Sequence, residues 1–466
     1  MKLSMIQFWQ AVRASYWFVP SIMVVLSILL GALMVWLDSG PLANLFEDIT
    51  WYQKSKPDGA REVLSSIASS AITVAGVAFS ITIVAISFAA NQYGPRILTN
   101  FMTDRVNQFT LGTFIATFVY CLMVLRTIYS GDTEFVPQLA VAVAMMLGLA
   151  STGMLIFFIH HVPQSIHVNT VLASIGDELI HSIDKQFPAR IGEASEQSQK
   201  DRERFARNAD ALFASGGDSV EIDCQKNGYL QAVDDDKILG VAREHDLVIR
   251  LEHSPGDFLY RGQVIFLASS ADKVGKDVRS QLRAAWSVGS RRTPTQDQMF
   301  LIDELIEIAA RALSPGVNDP FTAITCMDWL TAAVAELARR QIPSPYRVDK
   351  EGKLRVIAPS DSFALYIHRG FGRLRPYAAR DVIAATHMFG QLQILSGECC
   401  SAEQVEVLAE QCEALFSLAR QNNEGPSRDQ IDEAAASARA ACVRRLSELG
   451  NPNEEVIAPE ALRRGS

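Results

Sequence analysis

Four long stretches without a charged side chain constrain this chain more than any other feature of its sequence. They are residues 14–37, 63–95, 106–125 and 135–159. Each is long enough to form a helix across the hydrocarbon core of a bilayer, which takes roughly 20 residues. Aromatic residues such as Trp17 and Trp36 lie near their ends, as is typical of the membrane interface. We therefore expect a four-helix transmembrane domain over residues 1–160, in contact with the lipid bilayer.

The charges of the chain lie unevenly along it. Residues 1–160 carry eight Lys and Arg balanced by eight Asp and Glu, so the net charge of -9 belongs entirely to the residues that follow. Nucleic acid is bound mainly by cationic side chains at its phosphates, and an acidic soluble region argues against it as a partner.

The seven cysteines have no spacing typical of a metal site or a disulfide framework. They indicate free thiols in a reducing compartment. The first apolar run is too long for a cleavable signal peptide. Both observations favour a cytoplasmic location for the two termini, which four spans place on the same side.

The second span carries a stripe of hydroxyl groups. Ser66, Thr73, Ser80 and Ser87 recur every seven residues and therefore share one face of a helix. Two interpretations are open. Small polar residues let helices pack closely, or copies of this helix surround an axis and the four hydroxyls line a pore.

The four spans contain no Asp, Glu, Lys, Arg or His. Carriers that couple transport to protons or ions usually need such a group at membrane depth. A passive pore with neutral polar walls, or a simple anchor, is compatible with its absence.

The remainder of the chain is predicted to be a soluble α+β region in four parts. A juxtamembrane helix and linker occupies 161–217. Alternating apolar residues predict a small β module, similar to barrel-sandwich domains, over 218–270. A mostly helical domain with a hairpin near 346–356 fills 271–450, and 451–466 is a flexible tail.

One corner of the helical domain is rich in polar residues. Arg291, Arg292, Arg311, Asn318 and Asp319 are candidates for a ligand or anion site if they converge there. Capping and ion pairs explain the same residues without a ligand, because Asp319-Pro320 is a good start for a helix. No phosphate-binding loop, nucleophile elbow, dinucleotide fingerprint or zinc-protease motif is present. We therefore predict no cofactor and no metal, and favour a protein without enzymatic activity while leaving that question open.

Two blocks of sequence resemble a known family. The first includes Phe79-Ser80-Ile81-Thr82, Gln92-Tyr93-Gly94-Pro95-Arg96 and Asn100-Phe101-Met102-Thr103-Asp104-Arg105, and the second runs from Ala312 to Ala323. Together they resemble the bacterial predicted-membrane-protein family called domain of unknown function 2254. The resemblance implies the bacterial inner membrane and carries no known activity.

Three functions are compatible with these features. The first is an oligomeric pore or passive transporter for ions or small solutes, with the soluble region as an acidic cytoplasmic vestibule. The second is a membrane-anchored sensor or regulatory scaffold that binds a ligand or partner. The third is a hydrolase without a recognised motif. The sequence favours the first, a homo-oligomeric channel, because an anchor needs fewer spans and no hydroxyl stripe.

Overall fold

The computed structural model describes residues 17–40, 56–94, 104–129, 135–187, 199–213 and 218–450. The predicted tail, parts of the predicted linker (188–198 and 214–217) and the family-block residues 95–103 lie outside this description. The chain divides into two compact units, with the boundary between Thr170 and Val171.

The first unit contains the four predicted membrane helices. They are α1 (Phe18–Ser39), α2 (Pro57–Tyr93), α3 (Arg105–Leu125) and α4 (Gln138–Ile166), and all four are long and apolar enough to cross a bilayer. Helix α3 packs against the other three. The fold class predicted from the uncharged windows is confirmed.

Polar residues at the helix ends fix where these helices begin. Asp104 caps α3 by accepting a hydrogen bond from the Val106 N–H at 2.9 Å. Asp38, in the last turn of α1, accepts from the Leu139 N–H at 3.1 Å and the Ala140 N–H at 2.9 Å. Because the first N–H groups of a helix have no partner within it, these carboxylates satisfy groups that lipid cannot.

Small residues allow close packing inside this unit. A Cβ atom at Gly112 would lie 2.4 Å from the Met23 sulfur and 3.3 Å from the Pro20 Cα on α1. The Tyr120 hydroxyl donates to the Ala140 carbonyl at 3.0 Å, which ties α3 to α4. Packing and interhelical hydrogen bonds of this kind hold membrane helices together.

The boundary between the units falls in the first turn of α5 (Val168–Gln186), and the second unit continues through α6 (Gln199–Phe213) into a β-rich segment. Its strands are β1 (Ser219–Asp223), β2 (Gly228–Val233), β3 (Ile249–Leu251), β4 (Phe258–Leu259), β5 (Val264–Ser269) and β6 (Trp286–Gly289). Helices α7 (Asp235–Glu244) and α8 (Lys276–Arg283) pack with these strands around one apolar core.

The strands form two sheets, and one of them reaches beyond the predicted β module. The smaller sheet has the order β4-β2-β6. The larger has the order β1-β5-β3-β8-β7, where β7 (Tyr346–Val348) and β8 (Leu354–Ile357) are the predicted hairpin. Strand β8 pairs in parallel with β3. The sheet therefore crosses the predicted boundary at residue 270, and the β strands and later helices share one unit.

Helices complete this unit. They are α9 (Gln298–Ala312), α10 (Pro320–Ala338), α11 (Phe363–Ile367), a π-helical turn (His368–Gly372), α12 (Arg373–Ala378), α13 (Val382–Glu398), α14 (Ala402–Asn422) and α15 (Pro426–Leu449). Helix α10 is also apolar enough to span a membrane by composition. It packs against α9 and α13 and carries Asp328 and Glu336, which identifies it as a core helix of this unit.

Asp319 caps α10, and its removal should weaken the start of that helix. Its carboxylate accepts from the Thr322 N–H at 3.2 Å. We expect Asp319→Ala to cost about 1 kcal/mol of stability because an N–H loses its partner, and Asp319→Asn to retain most of it. Hydrogen exchange at the first turn of α10 measures the effect. Exchange in the alanine variant as slow as in the parent would refute the capping role.

Candidate functional site

The predicted hydroxyl stripe lies on the outer face of the first unit. Ser66, Thr73, Ser80 and Ser87 are all exposed, and the helical drift of about 20° per seven residues keeps them within one narrow arc. The opposite face of α2 packs inside the unit and is built from small residues. Ala71, Ala75, Ala78 and Thr82 on it are at most 4% exposed. Packing of α2 within the chain therefore uses an alanine face, and the hydroxyl stripe lies on the exposed side of the helix.

One end of the stripe borders a groove of about 480 Å³ between α2, α3 and α4. Ser66 and Ser70 line it together with Thr117 and Ser151. The hydroxyls of Thr117 and Ser151 are 3.0 Å apart and bond to each other. The other three predicted pore-lining positions do not line this groove.

The five ligand-binding candidates do not form one cluster. Arg291 and Arg292 precede α9, whereas Arg311 lies at its far end and Asn318 and Asp319 follow it. A helix of 15 residues separates its ends by roughly 22 Å. The expectation that these five residues converge on one site is therefore wrong, because one small ligand cannot contact both ends of α9.

The residues at the far end have structural partners. Arg311 lies 3.6 Å from Glu307 in the preceding turn. Asn318 has a φ of 50°, in the left-handed region that asparagine tolerates better than most residues, and Asp319 is the α10 cap described above.

Arg292 is the candidate that lines a cavity. Its guanidinium donates two hydrogen bonds to Asp297, at 2.7 and 2.9 Å, and one to Asp303 at 2.5 Å. Asp303 also accepts two bonds from Arg369, both at 2.8 Å, and one from Arg373 at 2.9 Å. We call these five residues the arginine–aspartate network. Burial alone would raise the pKa of Asp303, but its bonds to Arg369 and Arg292 prevail and lower it.

The network forms part of the wall of a cavity of about 710 Å³ in the second unit. The wall comes from α5, the 253–257 loop, the start of α9 and the segment from Arg347 to Arg369. Four carboxylates and four cationic side chains line it: Asp235, Asp257, Asp297, Asp361, Lys185, Arg292, Arg347 and Arg369. We call it the Asp361 cavity.

Gly256 allows the 253–257 loop to close over this wall. Its φ is 101°, and a Cβ atom there would lie 2.3 Å from a carboxylate oxygen of Asp297. Only glycine fits both the backbone conformation and the close approach. The loop also positions Asp257, which accepts from the Ser254 N–H at 3.0 Å.

A buried glutamine connects the cavity wall to α5. Gln298 is 2% exposed, and its amide donates to the Ser182 carbonyl and to the Gln186 side chain, both at 2.9 Å. The Tyr366 hydroxyl donates to the side-chain amide oxygen of Gln298. Three helices, α5, α9 and α11, are therefore joined at one residue of the wall.

Asp361 differs from Asp257 and Asp297, the two acids of the wall that accept hydrogen bonds. It is partly buried, and among the residues that the structure describes it has no hydrogen-bond or ion-pair partner within contact distance. Burial raises its pKa, the charges of Asp297 and Asp257 raise it further, and Arg369 opposes them. Such a group can take up a proton or accept hydrogen bonds from a ligand.

Sequence reasoning did not identify Asp361, Arg369 or Asp257 as members of a site. They lie on three separate segments and belong to no motif. Arg292 was singled out from the sequence, and of the five ligand-binding candidates it is the one that lines the cavity.

Replacing Asp361 should change how stability depends on pH. Its folded-state pKa is raised above the unfolded value of about 3.9, so the folded state binds more protons. The stabilising contribution of the neutral carboxyl is present at acid pH and is lost as the pH rises through the folded-state pKa. We expect Asp361→Asn to unfold at a higher temperature than the parent at pH 7, by a margin that shrinks towards pH 4.

Thermal unfolding between those pH values measures this margin. Asp272→Asn, at an exposed position outside the cavity, is the matched control. A margin that does not vary with pH would contradict the environment assigned to Asp361.

These features define a multi-pass α-helical membrane protein with a soluble α+β region. The family model described as "Predicted membrane protein (DUF2254)" matches residues 13–393, and the chain belongs to this family. It is 29% identical over 436 residues to an uncharacterized protein of Mycobacterium bovis, an alignment covering 92% of this chain and 80% of the relative. An uncharacterized protein of Mycobacterium tuberculosis gives the same identity and coverage. No solved structure matches the chain.

Proposed function

We propose that this protein is a membrane-anchored sensor or regulatory scaffold whose soluble region binds a small ligand in the Asp361 cavity. The cavity itself carries the proposal. Its volume of about 710 Å³ is within the range of roughly 300–1,000 Å³ that is usual for small-molecule sites. Its wall is mostly polar, with eight charged side chains and a smaller set of apolar ones. The arginine–aspartate network holds part of this wall in a fixed position.

The connection of α5 to the membrane helices supports a sensing role. Helix α4 ends at Ile166 and α5 begins at Val168, so a single residue separates them along the chain. Gln298 bonds to α5 at two points. A ligand that changes the position of this wall would therefore act on the segment that leads directly to the last membrane helix.

We further propose that the protein lies in the bacterial inner membrane with both termini in the cytoplasm. All seven cysteines are free, and six of them are buried. Free thiols are typical of a reducing compartment.

A substitution that fills the cavity should abolish ligand-induced stabilisation. Leu365 lines the cavity and is 38% exposed, whereas Leu212 is 37% exposed and lies outside it. A ligand that binds only the folded state raises the unfolding temperature. In a screen of mixed metabolite classes on the full chain in detergent, we expect compounds that stabilise the parent and Leu212→Trp but not Leu365→Trp.

The screen also has a clear negative outcome. If no compound stabilises the parent at saturating concentration, or if both tryptophan variants respond like the parent, the cavity is not a ligand site.

A pore is the second candidate, and the exposed hydroxyl stripe favours it. Hydroxyls on an outer face gain more from another polar surface or from water than from lipid. A seven-residue repeat on a helix suits a left-handed bundle of several copies. In that arrangement a homo-oligomer would place the stripe around an axis, and the acidic soluble region would concentrate cations near the opening.

Cysteine accessibility separates the pore from a lipid-facing surface. Single cysteines at Ser66, Thr73, Ser80 and Ser87 should react with a small water-soluble reagent if they line a pore. Ile72 is the matched control, since it is also exposed but points about 100° away from Thr73. Replacing Thr73 by Leu should then reduce flux in reconstituted bilayers by drying the path.

The same labelling reports the orientation in the membrane. In intact cells a membrane-impermeant reagent should reach a cysteine at Asp58, which precedes the stripe, but not one at Ser447 in α15. Reaction at Ser447 alone would reverse the proposed topology. Four unreactive stripe positions would leave the stripe as a packing surface.

A further inference from the structure

We propose that Cys412 and Cys442 are an oxidation site, at which a hydroperoxide converts two thiols into a reversible disulfide. Cys412 lies in α14 and Cys442 in α15, and these two helices pack against each other. Neither residue lines the Asp361 cavity. The inference is therefore independent of the ligand proposed for that cavity and goes beyond it.

The two thiols contact each other between the helices. Cys412 is fully buried and Cys442 is 2% exposed. The Cys412 thiol donates a hydrogen bond to the Cys442 sulfur. Formation of a disulfide shortens such a contact to about 2.0 Å. Rotation of the side chains can close this distance where the two helix backbones already lie near each other.

The helices are held together at the level of the thiols. Glu413 follows Cys412 directly, and Arg439 lies three residues before Cys442. The Arg439 guanidinium donates to the two carboxylate oxygens of Glu413 at 2.5 and 2.6 Å. Small side chains occupy the buried face of α15 next to the pair, since Ala438 is fully buried. This ion pair and the small residue keep the two backbones close where a disulfide needs them.

The two sulfurs have different chemical roles because one donates the hydrogen bond and the other accepts it. The bond from Cys412 lowers the pKa of Cys442, although burial acts in the opposite direction. The same bond raises the pKa of Cys412, and burial raises it further. The thiolate is the reactive form of cysteine. Cys442 is therefore the residue that attacks the oxidant, and Cys412 is the one that completes the disulfide.

A buried cysteine often serves only as a small apolar side chain. Cys326 in α10 is such a case, because it is 1% exposed and burial raises its pKa. The pair differs from Cys326 in having a thiol bonded to a thiol. A metal does not explain this arrangement, since no group of three or more metal-binding side chains occurs in the described part of the chain.

The reaction has two steps that balance with one hydroperoxide. The Cys442 thiolate attacks an oxygen of the hydroperoxide, so that an S–O bond forms and the O–O bond breaks. This gives a sulfenic acid at Cys442 and releases an alcohol, or water when the oxidant is hydrogen peroxide. The Cys412 sulfur then loses its proton and attacks the Cys442 sulfur. The S–S bond forms, the S–O bond breaks and water leaves, so the two thiols have lost two electrons to the peroxide.

Mass spectrometry of the full chain in detergent tests the inference. The reduced chain is treated with hydrogen peroxide, the remaining thiols are alkylated, and the chain is cut after Lys, Arg and Glu. Cys412 then lies on peptide 411–413, Cys442 on 440–444, and Cys399 and Cys400 together on 399–403. We expect the linked peptides 411–413 and 440–444 to be the main disulfide product, and dithiothreitol to restore both thiols. Cys326 should remain alkylated.

Two alanine variants test the assigned roles with a dione probe that labels sulfenic acids. We expect peroxide to make Cys442 reactive to the probe in Cys412→Ala, where the second step cannot occur. Cys412 should stay unlabelled in Cys442→Ala. Labelling at Cys412 in place of Cys442 would overturn these roles. If either variant fails to fold, the peroxide treatment of the parent still decides whether the disulfide forms, because it needs no substitution.

A parallel reaction in denaturant is the control for the contact in the folded chain. There the four thiols at 399, 400, 412 and 442 should pair without preference. The inference is overturned if the folded chain is no more selective than the unfolded one. It is also overturned if Cys399 or Cys400 forms the main disulfide, or if Cys442 is oxidised irreversibly without any link to Cys412. None of these outcomes bears on ligand binding in the Asp361 cavity.

Discussion

Three guanidinium groups donate hydrogen bonds to one buried carboxylate, Asp303. These bonds hold together the segments that form part of the cavity wall in the second unit. Arg292 comes from the loop before α9, Arg369 from the π-helical turn and Arg373 from the start of α12. Arg369 and Arg373 are four residues apart and reach the same carboxylate, as neighbours on one helical face can. Breaking a buried ion pair by removing one partner costs about 3–5 kcal/mol, so these segments are held together firmly.

The same network explains why Asp361 has no hydrogen bond from these arginines. Arg292 donates three hydrogen bonds and Arg369 donates two to the carboxylates of the arginine–aspartate network. Asp361 lies beside arginines that are already paired with other carboxylates, so it bears the cost of partial burial through a raised pKa. A rigid wall with one unsatisfied group resembles a preorganised binding site more than a structural core, where buried polar groups are normally satisfied.

The sequence predicted well those features that depend on neighbouring residues. Uncharged windows identified the four membrane helices, because the bilayer demands apolar side chains along every turn. Asp319 followed by Pro320 identified a helix start by local chemistry alone. The hairpin containing Gly352 was also visible, since its turn residues lie between two short apolar runs.

The cavity depends instead on contacts between distant segments. The 253–257 loop meets Asp297 only because Gly256 leaves room for the carboxylate, and Arg369 reaches Asp303 across 66 residues. Nothing in the local sequence specifies either contact. The predicted polar corner failed for a related reason: Arg291 and Arg311 are near in sequence, but the straight helix α9 holds them at opposite ends.

The two candidate functions make different demands on the two faces of α2. A pore requires the hydroxyl stripe to meet copies of itself, and the alanine face alone would then hold each chain together. That face is buried and continuous from Ala71 to Thr82, so the unit can fold without any contribution from the stripe. A ligand-binding protein requires only that the membrane unit fold, and its site is complete within one chain. The cavity therefore supports the sensor more directly, whereas the stripe supports a pore only if the chain assembles.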